Sequence, residues 1–109
     1  MSLWKERAAR NEALFREVNE RVEELHDLLQ SGGSAEFVCE CADGGCTDRL
    51  SIPLGTYETV RNDPHLFVVA PGHIRPEVEH VERYEDGFVI VRKDDPTAAR
   101  VAEQSDPRA

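Results

Sequence analysis

The sequence contains no apolar run close to the roughly 18 residues that a helix needs to span a lipid bilayer. Its first ten residues, MSLWKERAAR, also lack the apolar stretch of a secretory signal. We therefore expect a cytoplasmic protein that does not contact a membrane. Thiols stay reduced in that compartment, so clustered cysteines there indicate a metal site more often than a disulfide.

An excess of positive charge is missing as well. The 109 residues include 13 Lys and Arg against 22 Asp and Glu, which gives a formal net charge of −9. Basic surface supplies most of the affinity of proteins for nucleic-acid phosphates, and no segment of this chain is basic. The composition therefore speaks against nucleic-acid binding, and we expect the partner to be another protein or a second copy of the chain.

Glycine and proline are absent from residues 3–30, where Leu, Ala, Glu and Arg dominate, and this predicts one long helix within a segment 1–31. Its apolar side chains recur at alternating spacings of four and three, as in a coiled coil. This predicted seam fits either packing on the helix's own domain or docking to a partner helix, and both readings stay open. The seam comprises Trp4, Ala8, Phe15, Val18, Val22, Leu25 and Leu29, with Asn11 in the same stripe.

Residues 35–93 have the alternating and β-branched patterns of a small sheet. We predict an α+β fold in which the long N-terminal helix precedes a small, mostly antiparallel sheet with one short helix. The residues after 93 contain few apolar side chains, and we expect a disordered tail over 94–109. The predicted elements are strands at 36–41 and 49–52, a helix at 53–62, a buried strand at 66–70, and strands at 79–84 and 88–92.

All three cysteines of the chain lie within eight positions, at Cys39, Cys41 and Cys46. Residues i and i+2 of a strand point to one face, and Gly44 and Gly45 let the loop return so that a third sulfur meets the first two. A tetrahedral zinc with Zn–S bonds of about 2.3 Å needs such a tight return. We therefore predict a zinc site that stabilises the small domain, although another thiophilic metal would suit the same donors.

His73 is the fourth ligand that we expect, because it follows Pro71-Gly72 directly after an apolar strand and can project from that turn. Other donors stay open at this point: His65, a water molecule, His80, or an oxygen of Asp43 or Asp48. Four protein ligands would close the shell and make the site structural, whereas a water ligand would allow hydrolytic chemistry. No Ser-His-Asp set, P-loop or H-E-x-x-H motif accompanies the cysteines.

The leading functional hypothesis is a non-enzymatic, zinc-stabilised interaction module of regulatory character. The alternative is a thiol redox sensor that releases zinc when a Cys41–Cys46 disulfide forms. A zinc-dependent hydrolase is the least favoured hypothesis, since three thiolates blunt the Lewis acidity of the metal. Buried structural thiols or a lasting disulfide would also account for the cysteines, but Cys39–Cys41 would be strained as a disulfide.

Several short motifs recur together in one group of proteins. The chain from Phe37 to Lys93, with the helix before it, resembles a group of short bacterial proteins to which no activity is assigned. The resemblance implies that Cys39, Cys41, Cys46 and His73 belong to one site, and it implies no activity. It rests on F-x-C-x-C-x4-C from Phe37, Tyr57-Glu58-x-Val60-Arg61, Phe67-x-Val69-x-Pro71-Gly72-His73, Pro76-Glu77-Val78-Glu79 and Arg10-Asn11-Glu12-x-Leu14-Phe15.

Overall fold

A computed structural model describes residues 3–28 and 33–108. These residues form a long helix, two small antiparallel sheets and two shorter helices, which confirms the predicted α+β class. In chain order the elements are α1 (Leu3–Leu28), β1 (Ser34–Val38), β2 (Arg49–Pro53), α2 (Leu54–Arg61), β3 (Leu66–Val69), β4 (Glu79–Tyr84), β5 (Val89–Lys93) and α3 (Pro96–Gln104).

The strands form two sheets instead of the single sheet that we predicted. Strands β1 and β2 pair as an antiparallel hairpin, and β3, β5 and β4 form a second sheet with β5 in the centre. The apolar run at 66–70 is therefore an edge strand and not the expected central one. It is buried because α2 packs on it and because Glu40 bonds to it. The backbone N–H of Glu40 donates to the Val68 carbonyl (2.8 Å), and the Glu40 carboxylate accepts from the Val68 N–H (3.0 Å).

The hydrophobic core lies where the two sheets meet α2. The Phe37 ring of β1 stacks on the Tyr57 ring of α2, with ring centroids 4.2 Å apart and an interplanar angle of 16°. Burying one aromatic or large aliphatic side chain contributes about 1.5–3 kcal/mol, so these residues supply most of the apolar stabilisation. The core also includes Leu50, Ile52, Val60, Phe67, Val68, Val69, Phe88, Val89, Ile90 and Val91.

Helix α1 covers the body with a polar surface, which we call the inner face. It consists of Glu12, Arg16, Asn19, Glu20 and Glu23, all of them buried. These side chains find partners on β1, α3, β5 and the loops near them. Lys93 of β5, for example, bonds to both Glu12 and Glu79, and all three side chains are about 1–2% exposed. A buried polar group is tolerated when it is paired in this way.

The predicted seam of α1 is divided between two sides of the helix. Ala8 is buried and Val22 packs against the core, whereas Trp4, Val18 and Leu25 are exposed and Phe15 is half-buried. The long helix itself is confirmed through Leu28, and Leu29 lies outside the described residues. The side opposite the inner face, which we call the outward face, carries four exposed apolar side chains and five charged ones: Leu3, Leu14, Val18 and Leu25, with Arg7, Arg10, Glu17, Arg21 and Glu24.

The prediction of a disordered tail over 94–109 is wrong, because α3 forms there. The Asp95 carboxylate caps this helix by accepting from the N–H groups of Thr97 (3.0 Å) and Ala98 (3.1 Å), and Pro96 occupies the first turn. Ala98 and Ala102 are buried where α3 packs on α1. Small side chains bury little apolar area but let two helices approach closely. The low hydrophobicity of residues 94–109 therefore did not indicate disorder.

Candidate metal centre

Two loops bring the site together, one between β1 and β2 and the other between β3 and β4. Cys39 and Cys41 follow the end of β1, Cys46 lies in the turn that leads to β2, and His73 lies in the turn after β3. The donor atoms of these four side chains all lie within 4.8 Å of one another. The structure therefore groups the four residues that the sequence singled out, and they could hold a metal ion. Metal binding by these four residues stays a prediction.

The spacing of the donor atoms is close to that of a tetrahedral ion. His73 Nδ1 lies 3.5 Å from Cys39 Sγ and 3.6 Å from Cys46 Sγ. A nitrogen at ~2.05 Å and a sulfur at ~2.3 Å from a tetrahedral zinc would be about 3.6 Å apart. Two sulfurs on the same ion would be about 3.8 Å apart. The donor atoms all lie within 4.8 Å of one another, so those that are farthest apart would move closer together when an ion binds. The donor set of three thiols and one imidazole fits zinc.

The loop that carries Cys46 is shaped by Asp43 more than by glycine. The Asp43 carboxylate accepts from the Gly45 N–H (2.9 Å), and the Asp43 carbonyl accepts from the Cys46 N–H (3.0 Å). In the described part of the chain, positive φ angles occur at Gly33, Gly72 and Gly87, not at Gly44 or Gly45. The chain turns back here as we expected, but it does so without a left-handed conformation at either glycine. Asp43 acts as a turn residue instead of a metal ligand.

The turn before His73 does need its glycine. Gly72 has a φ of +86°, a left-handed conformation that other residues adopt only with strain. The His73 N–H donates to the Ala70 carbonyl (3.0 Å), which closes the turn. The Ala70 N–H in turn donates to Cys39 Sγ (3.1 Å). The same turn therefore delivers the imidazole and supplies a hydrogen bond that stabilises a thiolate at Cys39.

Asp48 lies on the far side of the imidazole. Its Oδ2 is 3.3 Å from His73 Nε2, which leaves Nδ1 directed at the sulfurs. A carboxylate on the second nitrogen fixes the tautomer and orientation of a ligating histidine. Asp48 is therefore suited to positioning His73 and not to binding the ion directly.

The other candidate histidines are engaged elsewhere. His65 Nε2 lies 2.7 Å from Glu103 Oε2 on α3, and His80 Nδ1 lies 2.8 Å from Asp94 Oδ2. Neither belongs to the group of four donors. Among the histidines, the geometry favours His73 as the fourth donor.

All three cysteines, which lie in the described part of the chain, are free thiols. Burial raises the pKa of the Cys39 thiol, and the neighbouring sulfurs of Cys41 and Cys46 add to that rise. Burial also raises the pKa of the Cys41 thiol. Without a cation both would stay protonated at neutral pH, and a bound metal ion reverses this balance by stabilising thiolates.

Glu40 lies between two of the cysteines and is fully buried, and we did not predict its role from the sequence. Its carboxylate accepts hydrogen bonds from the Tyr57 hydroxyl (2.7 Å) and from Asn19 Nδ2 (2.8 Å), in addition to the Val68 N–H. A signal was available in the predicted strand 36–41, in which Cys39 and Cys41 would share one face and the residue between them would point to the opposite face, although β1 in fact ends at Val38.

Helix α1 is bonded directly to the segment that carries two of the cysteines. The Asn19 amide donates to the Val38 carbonyl (2.8 Å) and accepts from the Val38 N–H (2.8 Å), as a neighbouring strand would. Asn11 Nδ2 donates to the Ala42 carbonyl (2.9 Å). The stretch 38–42 therefore links the inner face of α1 to the candidate metal centre.

A shallow pocket of about 230 Å³ opens beside the four donors. It would give a metal ion access from solvent, as a metal site requires. Ligand-binding pockets are usually larger, about 300–1,000 Å³, which argues against a substrate site. The pocket is lined by Cys41, Ala42, Asp43, Gly72, His73, Ile74 and Arg75.

No known protein family, curated protein or solved structure matches this chain. The resemblance to short bacterial proteins therefore stays a prediction. Among the described residues, no helix is both long enough and apolar enough to cross a membrane.

Proposed function

We propose that this protein is a non-enzymatic, zinc-stabilised interaction module in which α1 presents the docking surface. One observation carries the proposal. The stretch 38–42 supplies two donors of the Cys3His group, and its backbone bonds to Asn11 and Asn19 of α1. A metal ion held there would order the segment on which the helix rests.

The donor set supports a structural role for the metal. Four protein donors fill a tetrahedral shell, which is typical of structural zinc sites, whereas catalytic sites keep one position for water. Zinc suits mixed thiolate and imidazole ligation, and iron–sulfur clusters are normally held by four cysteines. A site of this type contributes an apparent ~10–16 kcal/mol to folding, which is as large as the whole ~5–15 kcal/mol net stability of a typical domain.

The outward face of α1 supports the docking role. Leu14 is 60% exposed and Leu25 is 55% exposed, while the polar inner face of the same helix is buried. Apolar side chains aligned on one exposed face mark interaction sites more often than single exposed ones do. We also propose a cytoplasmic location, where the thiols would stay reduced and able to bind the metal.

The redox-sensor alternative has one feature in its favour, which is that Cys46 is only half-buried. Peroxide would oxidise two thiolates to a disulfide, would itself be reduced to water, and would release zinc. However, reactive thiols are typically exposed and have lowered pKa values. Cys39 and Cys41 are buried and their pKa values are raised, which favours the structural role.

The test is native mass spectrometry of the chain purified without added metal, with elemental analysis to identify the ion. We expect one zinc per chain in the wild type and in the control His80→Ala. We expect loss of zinc, with loosening of the fold, in Cys46→Ser and His73→Ala. A wild-type chain without metal, whose three thiols react freely with a thiol reagent, would contradict the proposal.

A further inference from the structure

The outward face of α1 has its apolar residues at helix-repeat spacing. Leu14, Val18 and Leu25 are 60%, 40% and 55% exposed, and Leu3 at the start of the helix is 66% exposed. Residues 18 and 25 are seven apart, and residue 14 precedes residue 18 by four, so the three positions follow the spacing of a contact line between two paired helices. From Leu3 to Leu25 this line is about 33 Å long at 1.5 Å per residue.

Charge is divided unequally along the outward side. The first half carries Arg7 and Arg10, which sum to +2, and the second half carries Glu17, Arg21 and Glu24, which sum to −1. Arg21 is already paired within the helix, at 3.2 Å from Glu17 and 3.1 Å from Glu24. A parallel copy of the same helix would place like halves together. In an antiparallel pair, the positive first half of each helix would lie beside the negative second half of the other, and a two-fold axis would relate these two contacts.

We propose that the outward face binds a second copy of this chain, with the two α1 helices antiparallel. This inference rests on the proposed docking role of α1 and names its partner. The two-fold axis passes close to residues 16 and 17 of the helix. Leu14 then lies beside Val18 of the second copy, and Arg10 faces Glu24 of the second copy. Such an interface is isologous, because each chain contributes the same surface.

The contacts that hold α1 on its own body are made by the inner face, so pairing of the outward faces would leave the fold intact. Arg16 and Asn19 bond to the chain's own body from the opposite side of the helix, so the second copy needs none of those contacts. The outward leucines are solvent-exposed in the single chain. A charged residue at those positions therefore removes the association without removing a core contact, and the variants should fold.

The first measurement is the mass of the full-length, zinc-loaded chain by light scattering at the highest soluble concentration. We expect a dimer of twice the 12.3 kDa chain mass. Leu14→Glu should raise the dimer dissociation constant at least about tenfold, because a charge would be buried in the contact. Tyr84→Glu is the matched control, since Tyr84 is 73% exposed on β4 and its substitution should leave the dimer unchanged.

The second measurement tests the direction of the helices. Arg10→Glu alone should weaken the dimer by placing two glutamates together, and Glu24→Arg alone should weaken it by placing two arginines together. The double variant Arg10→Glu with Glu24→Arg should recover the wild-type dissociation constant. Arg49→Glu, on the exposed side of β2, is the control for the change in net charge. If the double variant is as weak as the two single variants, the antiparallel arrangement is wrong.

Metal content measured on the same samples separates this proposal from the previous one. A monomeric wild type that carries one zinc overturns self-association and leaves the outward face to a different protein. A dimer that carries no metal overturns the zinc proposal and keeps the pairing of helices. A dimer that survives Leu14→Glu overturns the assignment of the contact to this face.

Discussion

The two faces of α1 reverse the usual distribution of polar and apolar side chains. The inner face is buried and carries glutamate, arginine and asparagine, whereas the outward face is exposed and carries leucine and valine. The inner contact depends on hydrogen-bond geometry, because each buried polar group needs a partner. An outward contact would depend on apolar area, which is less directional. The same helix can thus be held in one orientation by its own body and keep its other side for a partner.

We expect the largest loss of stability when the buried arginine of the inner face is replaced. Arg16 is fully buried, donates to the carbonyls of Pro64 (2.7 Å) and Ala102 (2.6 Å), and lies over the Phe67 ring with 4.6 Å to the centroid. Arg16→Ala should lower the free energy of unfolding by about 4 kcal/mol, since it leaves buried acceptors unpaired and a cavity. Urea denaturation at low protein concentration measures this.

The control is the same substitution on the outward face. Arg21 is 69% exposed and pairs with Glu17 and Glu24 within the helix. Arg21→Ala should cost less than about 0.5 kcal/mol, as exposed ion pairs do. If Arg16→Ala and Arg21→Ala lower the free energy of unfolding equally, the buried polar contacts of the inner face stabilise the fold no more than exposed ion pairs do.

A second prediction concerns the pH dependence of the inner face. Burial raises the pKa of Glu12 from 4.5 to about 7, which outweighs the opposing effect of Lys93. The folded state therefore binds this proton more tightly than the unfolded state does. The stability that it contributes is fully present below pH ~4.5 and is lost as the pH rises to about 7, with a slope of up to ~1.4 kcal/mol per pH unit.

Glu12→Gln should remove that slope between pH 5 and 7 in zinc-loaded protein. Burial, together with the hydrogen bond that a protonated Glu23 donates to the Glu58 carboxylate, also raises the pKa of Glu23 to about 7. The variant therefore keeps the Glu23 contribution, and the difference between the two pH profiles isolates Glu12. Parallel profiles for wild type and variant would show that Glu12 is ionised normally beside Lys93.

A smaller effect is expected where α3 meets α1. The Asp95 carboxylate caps α3 and also bonds to Lys5 of α1 at 2.6 Å. Asp95→Ala should cost about 1.5 kcal/mol, typical for an N-cap with one additional ion pair. Asp94→Ala next to it is the control, because the Asp94 side chain is 46% exposed and, among the described residues, forms an ion pair with His80 only. Equal costs for both variants would mean that the cap contributes little.

The metal-site residues could be predicted because their signal is local. Three cysteines within eight positions, and a histidine in a Pro-Gly turn, identify candidate donors without any knowledge of the packing. The polar inner face could not be predicted in this way. Glu12, Arg16, Asn19 and Glu23 recur at helical spacing, which is the usual pattern of a solvated face, and their burial depends on acceptors supplied by distant segments.

The C-terminal helix lies between these two cases. Asp95-Pro96 is a recognisable helix start, but the few apolar residues after it suggested disorder. The deciding factor is contact between alanines and α1, which depends on the position of a helix about 80 residues earlier in the chain. For the same reason the two sheets could not be told from one, since Glu40 connects the β1 segment to β3 by long-range bonds without strand pairing between the sheets.

The smallest predicted effect concerns Asn11, which lies at the boundary between the two faces and donates to the Ala42 carbonyl at 2.9 Å. Asn11→Ala should cost about 1 kcal/mol, the typical value for one partly buried hydrogen bond. If the inner face helps to order the cysteine segment, the variant should also bind zinc a few-fold more weakly in competition with a chromophoric chelator. Arg10→Ala, on the adjacent exposed position, should change neither quantity in the single chain. A loss of stability with unchanged zinc affinity would mean that α1 and the metal centre share the segment 38–42 without being energetically coupled.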